Sequence, residues 1–137
     1  MKYTVVIVTY NRLELLKECI EAINNQKRQF DNVVIVDNAS TDGTKDYLQE
    51  YEKKYHIIYE EKNGGGAKGF KDGVEYTYKN ICTDWILLID DDAILDTEYL
   101  ENISQFISAN GEYKAVSGTV KTEGEIDTTH RKRLKSK

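Results

Sequence analysis

An α/β fold, a mostly parallel sheet with helices on both faces, is the architecture this chain predicts, and three observations lead there. Apolar runs recur at Tyr3 to Thr9, Val33 to Val36, Ile57 to Tyr59 and Trp85 to Ile89. Stretches of helical period separate them. A polar cluster directly follows the first, second and fourth runs, at Thr9 to Arg12, Asp37 to Asp42 and Asp90 to Asp92, and the third leads through Glu60 to Lys62 into Asn63 to Gly66. In such sheets ligands sit beyond the carboxyl ends of the strands. The four clusters therefore predict one site on one edge.

Taken in order, residues 3 to 9 read as a strand that runs into Tyr10-Asn11-Arg12. Leu13, Leu16, Cys19, Ile20 and Ile23 then recur at three- and four-residue spacing, a helix for which Asn11 can serve as the cap. The second strand, Val33 to Val36, ends in the polar turn Asp37 to Gly43, and a helix from about Thr44 to Lys54 carries Tyr47, Leu48 and Tyr51 inward. A third strand, Ile57-Ile58-Tyr59, leads to Asn63-Gly64-Gly65-Gly66 and a helix from about Ala67 to Lys79. The fourth, Trp85 to Ile89, reads as buried on both faces. A helix through Tyr99, Leu100, Ile103, Phe106 and Ile107 precedes a fifth strand at Ala115 to Val120. Residues 1–122 are thus expected to form one domain, with a polar and basic tail at 123–137.

Composition narrows the class. With 39% hydrophobic and 31% charged residues in 137, the chain fits one globular domain. The run Val5 to Val8 is too short for a signal peptide or a membrane span, so the cytoplasm is expected. The net charge of −5 conceals an asymmetry: Arg131, Lys132, Arg133, Lys135 and Lys137 leave −10 on residues 1 to 129. An acidic body argues against nucleic acid as a partner. The basic tail reads as a solvated run, with peripheral contact to an anionic membrane as the functional alternative. Cys19 and Cys82 complete no metal or redox motif and are expected to be core or half-buried thiols. His56 and His130 have no acid or nucleophile beside them in sequence and are not expected to be catalytic.

Chemistry concentrates at the strand exits. Asp90, Asp91 and Asp92 follow a buried strand, and three adjacent carboxylates exceed what a helix N-terminus needs. Hard oxygen ligands in such a group suit Mg²⁺ or Mn²⁺ shared with substrate phosphates. Residues two apart in an extended segment point the same way. Asp90 and Asp92 are therefore the metal candidates, with Asp91 facing ribose or backbone amides. Asp37, at a strand end, reads as a hydrogen-bond acceptor for a nucleotide's base or ribose, or as a turn former. The following segment fails as a calcium loop, because Asn38 and Gln49 stand where the loop needs Asp and a bidentate Glu. Its Ser40, Thr41 or Asp42 reads instead as a helix cap. Gly64-x-Gly66-x-x-Gly69 matches the dinucleotide fingerprint literally, but charged Glu60, Glu61 and Lys62 separate it from its strand. The glycines are either a flexible connection or a place where backbone approaches a diphosphate or sugar. Tyr10, at a strand exit, is placed to stack on a base.

Four ordered blocks resemble the signature of family-2 glycosyltransferases of the GT-A fold: Thr9-Tyr10-Asn11-Arg12, Val36 through Thr44, Asn63 through Phe70, and Leu88 through Ala93. The glycine block and triple Asp are most similar to the galactofuranosyltransferase-like and rhamnosyltransferase-like branch. The resemblance implies a Rossmann-like GT-A domain and a uridine or deoxythymidine diphosphate sugar as donor. It places Thr9, Tyr10, Arg12 and Asp37 around the base, Asn63, Gly64 and Gly65 near the diphosphate or sugar, and Mn²⁺ or Mg²⁺ on Asp90 and Asp92. Transfer to a carbohydrate acceptor hydroxyl with inversion is implied, as in cell-surface polysaccharide biosynthesis.

Two departures stand out. Lys68 occupies a position where the family block generally carries a small residue. The family's catalytic carboxylate lies well beyond the triple Asp, and Glu123, Glu125 and Asp127 are weak substitutes, so the chain is expected to be the donor-binding portion of a longer enzyme or a short relative. The alternatives are a nucleotide-sugar-binding module without transfer, a sugar nucleotidyltransferase and a dehydrogenase. A nucleotidyltransferase would need a glycine-rich, Arg/Lys-containing loop after the first strand, which Thr9 to Arg12 is not.

Overall fold

The computed structural model describes residues 1–122 and 125–126. The basic tail, His130, Glu123 and Asp127 lie outside the described residues. The chain divides into two compact units, Met1–Glu101 and Asn102–Lys137.

The first unit contains β1 (Tyr3–Thr9), α1 (Leu13–Asn24), β2 (Asn32–Asp37), α2 (Thr44–Gln49), β3 (His56–Tyr59), α3 (Gly66–Asn80) and β4 (Trp85–Asp90). The strands form a parallel sheet in the order β3-β2-β1-β4. Side chains alternate across it, as the pleat requires. Val5, Ile7, Val33, Ile35 and Ile89 meet Leu16, Cys19, Ile20 and Ile23 of α1 and Leu48 of α2 in one core. Each such large apolar side chain contributes about 1.5–3 kcal/mol on burial. On the opposite face α3 lies against β1 and β2. It comes close because Gly69 and Gly73 face the sheet: a Cβ at Gly73 would stand 2.5 Å from Val6 Cγ1, and one at Gly69 would stand 2.7 Å from Val8 Cγ1. Helices therefore cover both faces, as the sequence predicts.

Several expectations are corrected. β4 is not buried on both faces. It is an edge strand, and the register Val6↔Leu88 puts Leu88 on the face of α3, which packs over β1 and β2 and leaves Leu88 50% exposed. Asn11 does not cap α1; it has φ +49°, and the helix begins after Arg12 without a side-chain cap from that residue. The second helix is shorter than its pattern suggests. Beyond Gln49 the backbone bonds tighten to three-residue spacing, Glu50 N to Tyr47 O, Tyr51 N to Leu48 O and Glu52 N to Gln49 O, so regular helix gives way to turns through Lys54. Cys82 is exposed, whereas Cys19 is buried.

The boundary with the second unit falls within α4 (Tyr99–Ala109). Gln26, buried just beyond the end of α1, organises the entry to α4: its side-chain amide donates to Asp96 O at 2.6 Å and accepts from Leu100 N–H at 3.1 Å. In the second unit the Phe106 and Tyr113 rings stack with centroids 5.8 Å apart. The predicted strand Ala115 to Val120 is absent, and Ser117-Gly118 interrupts the apolar run there. Instead β5 (Lys121–Thr122) and β6 (Glu125–Ile126) form a short antiparallel pair.

Candidate functional site

The strand order places β2 and β4 on opposite sides of β1, so connections run one way through β2 and β3 and then return to β4. The crevice outside the carboxyl ends at such a reversal is where open α/β sheets bind ligands. Register brings the expected residues there. Thr9 pairs with Asp37, Val8 with Asp90, and Asp37 with Tyr59.

Asp91 turns inward rather than toward solvent. It is 5% exposed and accepts from the Thr9 hydroxyl at 2.9 Å, while Arg12 Nη1 lies 3.4 Å from its other oxygen. Burial raises its carboxyl above the ordinary Asp value; the Thr9 bond, the Arg12 charge and the Tyr10 backbone N–H oppose that shift, and the neighbouring Asp92 adds to it. The same guanidinium lies 3.6 Å from Asp92 Oδ2. Arg12 thus ties the loop after β1 to the end of β4. Asp90 and Asp92 are exposed at the strand exit. Cys19, beneath them, is pushed up to about 12, by burial first and then by the Asp91 and Asp92 charges, which makes it an inert thiol.

The first two loops are stitched together. Asn11 Oδ1 accepts from Thr41 N–H at 2.7 Å, and Asn11 N–H donates to Ser40 Oγ at 3.0 Å. This cross-link explains why Asn11 adopts left-handed backbone instead of capping α1. Asp42 supplies the missing caps, accepting from Leu13 N–H at 3.2 Å and from Thr44 N–H and hydroxyl at 3.2 and 2.6 Å. Asp37 is 2% exposed and accepts from Ser40 N–H at 3.1 Å, and Ala39 between them has φ +61°. The turn-forming reading of Asp37 therefore holds geometrically, and the same carboxylate remains at the strand end.

The glycine block divides by function. Asn63 Oδ1 accepts from Gly65 N–H at 2.8 Å, and Gly65 has φ +91°, a conformation that glycine adopts without strain. Nothing lies within 4 Å of where side chains on Gly65 or Gly66 would start, so this backbone is open to approach. Gly69 and Gly73 serve helix-to-sheet packing instead. Asn38, buried at 3% exposure, connects the blocks by donating from Nδ2 to Gly65 O at 3.1 Å and from its backbone N–H to Thr9 O at 2.9 Å. Its position in a polar turn gives no sequence signal for that role. Tyr10 is 44% exposed. His56 Nδ1 lies 3.0 Å from the Tyr76 hydroxyl, a structural pairing between β3 and α3.

Among the described residues no cluster of three or more His, Cys, Asp or Glu side chains forms a candidate metal site. Asp90 and Asp92 nevertheless suit Mg²⁺ or Mn²⁺ chemically, since such ions are commonly held by one or two carboxylates with substrate phosphates supplying further oxygens.

Residues 4–137 match the model of glycosyl transferase family 2. The chain belongs to that family. It is 30% identical over 130 residues to a poly(ribitol-phosphate) beta-glucosyltransferase of Bacillus spizizenii, covering 86% of this chain and 20% of that protein. It is 32% identical over 87 residues to a galactofuranosyltransferase of Mycolicibacterium smegmatis, covering 64% of this chain and 28% of the relative. The fold is similar to that of Staphylococcus aureus TarS in complex with UDP-GlcNAc, with a TM-score of 0.68 and 27% identity over 81% of this chain and 32% of the other. The family-2 chain thus spans roughly a fifth to a third of these three proteins. Its sheet and helices are those of the GT-A fold. Among the described residues, no helix is long and apolar enough to cross a membrane.

Proposed function

We propose that this chain is the donor-binding part of a metal-dependent, inverting glycosyltransferase that uses a nucleoside diphosphate sugar, uridine or deoxythymidine linked. The observation carrying the proposal is the convergence of Thr9, Arg12, Asp37, the Asn63 to Gly65 turn and Asp90 to Asp92 at one carboxyl edge. Family membership and the similarity to TarS, solved with UDP-GlcNAc, support it.

In this reading Tyr10 stacks on the base, and Asp37 accepts a hydrogen bond from the base or ribose. Asn63 and Gly64-Gly65 border the diphosphate or sugar, where Gly65 and Gly66 leave backbone uncovered. Asp91, held by Thr9 and Arg12, fixes the end of β4 so that Asp90 and Asp92 face the donor; any direct contact from Asp91 goes to the ribose. Asp90 and Asp92 would hold Mg²⁺ or Mn²⁺, whose chemistry there is to neutralise charge on the leaving diphosphate. An acceptor hydroxyl on a carbohydrate attacks the anomeric carbon as the sugar–phosphate bond breaks, and its proton passes to a carboxylate base. No described residue is assigned that role. The similarity to poly(ribitol-phosphate) glycosyltransferases supports a hydroxyl-rich polymer as the acceptor class.

Titration calorimetry with UDP and Mn²⁺ tests the assignment. Metal-dependent binding is expected for the native chain, with at least about a tenfold loss in the Asp90→Ala, Asp92→Ala double variant. Unchanged affinity in that variant would remove the metal assignment.

A further inference from the structure

Lys68 stands over the glycine turn, and its setting gives it a use. It lies in the first turn of α3, and its stem covers Gly64 so closely that a Cβ there would stand 2.4 Å from Lys68 Cδ. Its ammonium is drawn away from the turn, 2.6 Å from Asp72 Oδ2 and 3.5 Å from Glu60 Oε2. The lysine side chain is 50% exposed and its partners are half-buried, and an ion pair at four-residue spacing on a helix surface contributes little to stability. A lysine stem has enough rotatable bonds to carry its three donors across a single residue.

Charge balance gives the ammonium a destination. Asp37, Asp90, Asp91 and Asp92 stand at the carboxyl edge, and Arg12 is already engaged by two of them. A diphosphate arriving there meets mainly like charge. Lys68 is a cation placed directly on the turn that borders it. In the resting arrangement the ammonium sits between two neighbouring carboxylates, and the contact with Asp72 raises the Glu60 carboxyl above its ordinary value.

We propose that Lys68 is a phosphate ligand that sets specificity for a diphosphate: it rests on Asp72 and Glu60 in the free protein and crosses Gly64 to the terminal phosphate of the bound nucleotide. The proposal rests on the nucleoside diphosphate reading of the site. It adds the residue that distinguishes a diphosphate from a monophosphate.

The test compares the native chain with Lys68→Met, which keeps the stem and loses the charge, in titrations with UDP, UMP and uridine at fixed Mg²⁺ and ionic strength. Lys68→Met is expected to weaken UDP binding about tenfold while leaving UMP and uridine within about twofold. Asp72→Asn, which removes the nearer of the two carboxylates holding the ammonium, is expected to tighten UDP binding about threefold, an effect that disappears in the Lys68→Met background. Equal UDP affinity in native and Lys68→Met chains would overturn the proposal alone. An equal loss for all three ligands would overturn it too, since that marks a structural role. Failure of the native chain to bind UDP would overturn the nucleotide reading itself.

Discussion

Thr9 donates a 2.9 Å hydrogen bond to Asp91 across 82 residues of sequence, with both side chains buried. This one contact joins the ends of β1 and β4 at the reversal of the sheet. Thr9→Val preserves shape but leaves a buried carboxylate short of a donor, so it is expected to destabilise the fold by about 1–3 kcal/mol. Thr9→Ser retains the hydroxyl and is expected to stay near native stability. Urea denaturation midpoints, with unchanged slopes, measure the difference.

Gly73→Ala reverses the usual helix-propensity gain. The new methyl would meet Val6 Cγ1 at 2.5 Å and Val36 Cγ2 at 3.1 Å, so a loss of about 1–3 kcal/mol is expected. Combining it with Val6→Ala makes room, and the double variant is expected to lose less than the two single losses together. Thermal denaturation of the four proteins in the cycle gives the coupling.

Asp42 links two helix starts, and its replacement by Ala is expected to cost about 1 kcal/mol. Burial alone would raise its carboxyl, but donors from Thr44 and Leu13 outweigh burial and hold it below its ordinary value. Its folded value therefore lies below its unfolded one. The stabilising contribution is present above about pH 4 and is lost as pH falls through the folded value. Melting temperatures measured between about pH 6 and pH 2 should decline less steeply in Asp42→Ala than in the native chain.

These contacts show where the sequence was legible. The apolar runs at Tyr3 to Thr9, Val33 to Val36 and Ile57 to Tyr59 announced strands within one residue of those observed, because an uninterrupted apolar run bounded by polar residues leaves a clear pattern. Exits such as Asp37 and Asp90 could be placed at one edge from topology alone. The connections between loops could not. Asn11 reads as a cap by residue type, and only the nearby Thr41 backbone explains why it was drawn elsewhere. Asn38 looks like any turn residue until the glycine block folds beside it. Leu88 reads as core because an apolar residue does not reveal whether its strand lies inside a sheet or at its edge. The literal GxGxxG match, set apart from its strand by Glu60, Glu61 and Lys62, has a packing cause at its last position, since Gly69 is glycine for the sake of Val8.

The central claim is that a nucleoside diphosphate and a divalent cation meet at the exits of β1 and β4. A crystal of the chain grown with UDP and Mn²⁺, analysed by anomalous scattering at the manganese edge, tests it most directly. The account predicts a manganese peak between the diphosphate oxygens and the carboxylates of Asp90 and Asp92, with the uracil beside Tyr10 and Asp37. Nucleotide bound elsewhere on the sheet, or manganese with no contact to either carboxylate, would contradict it.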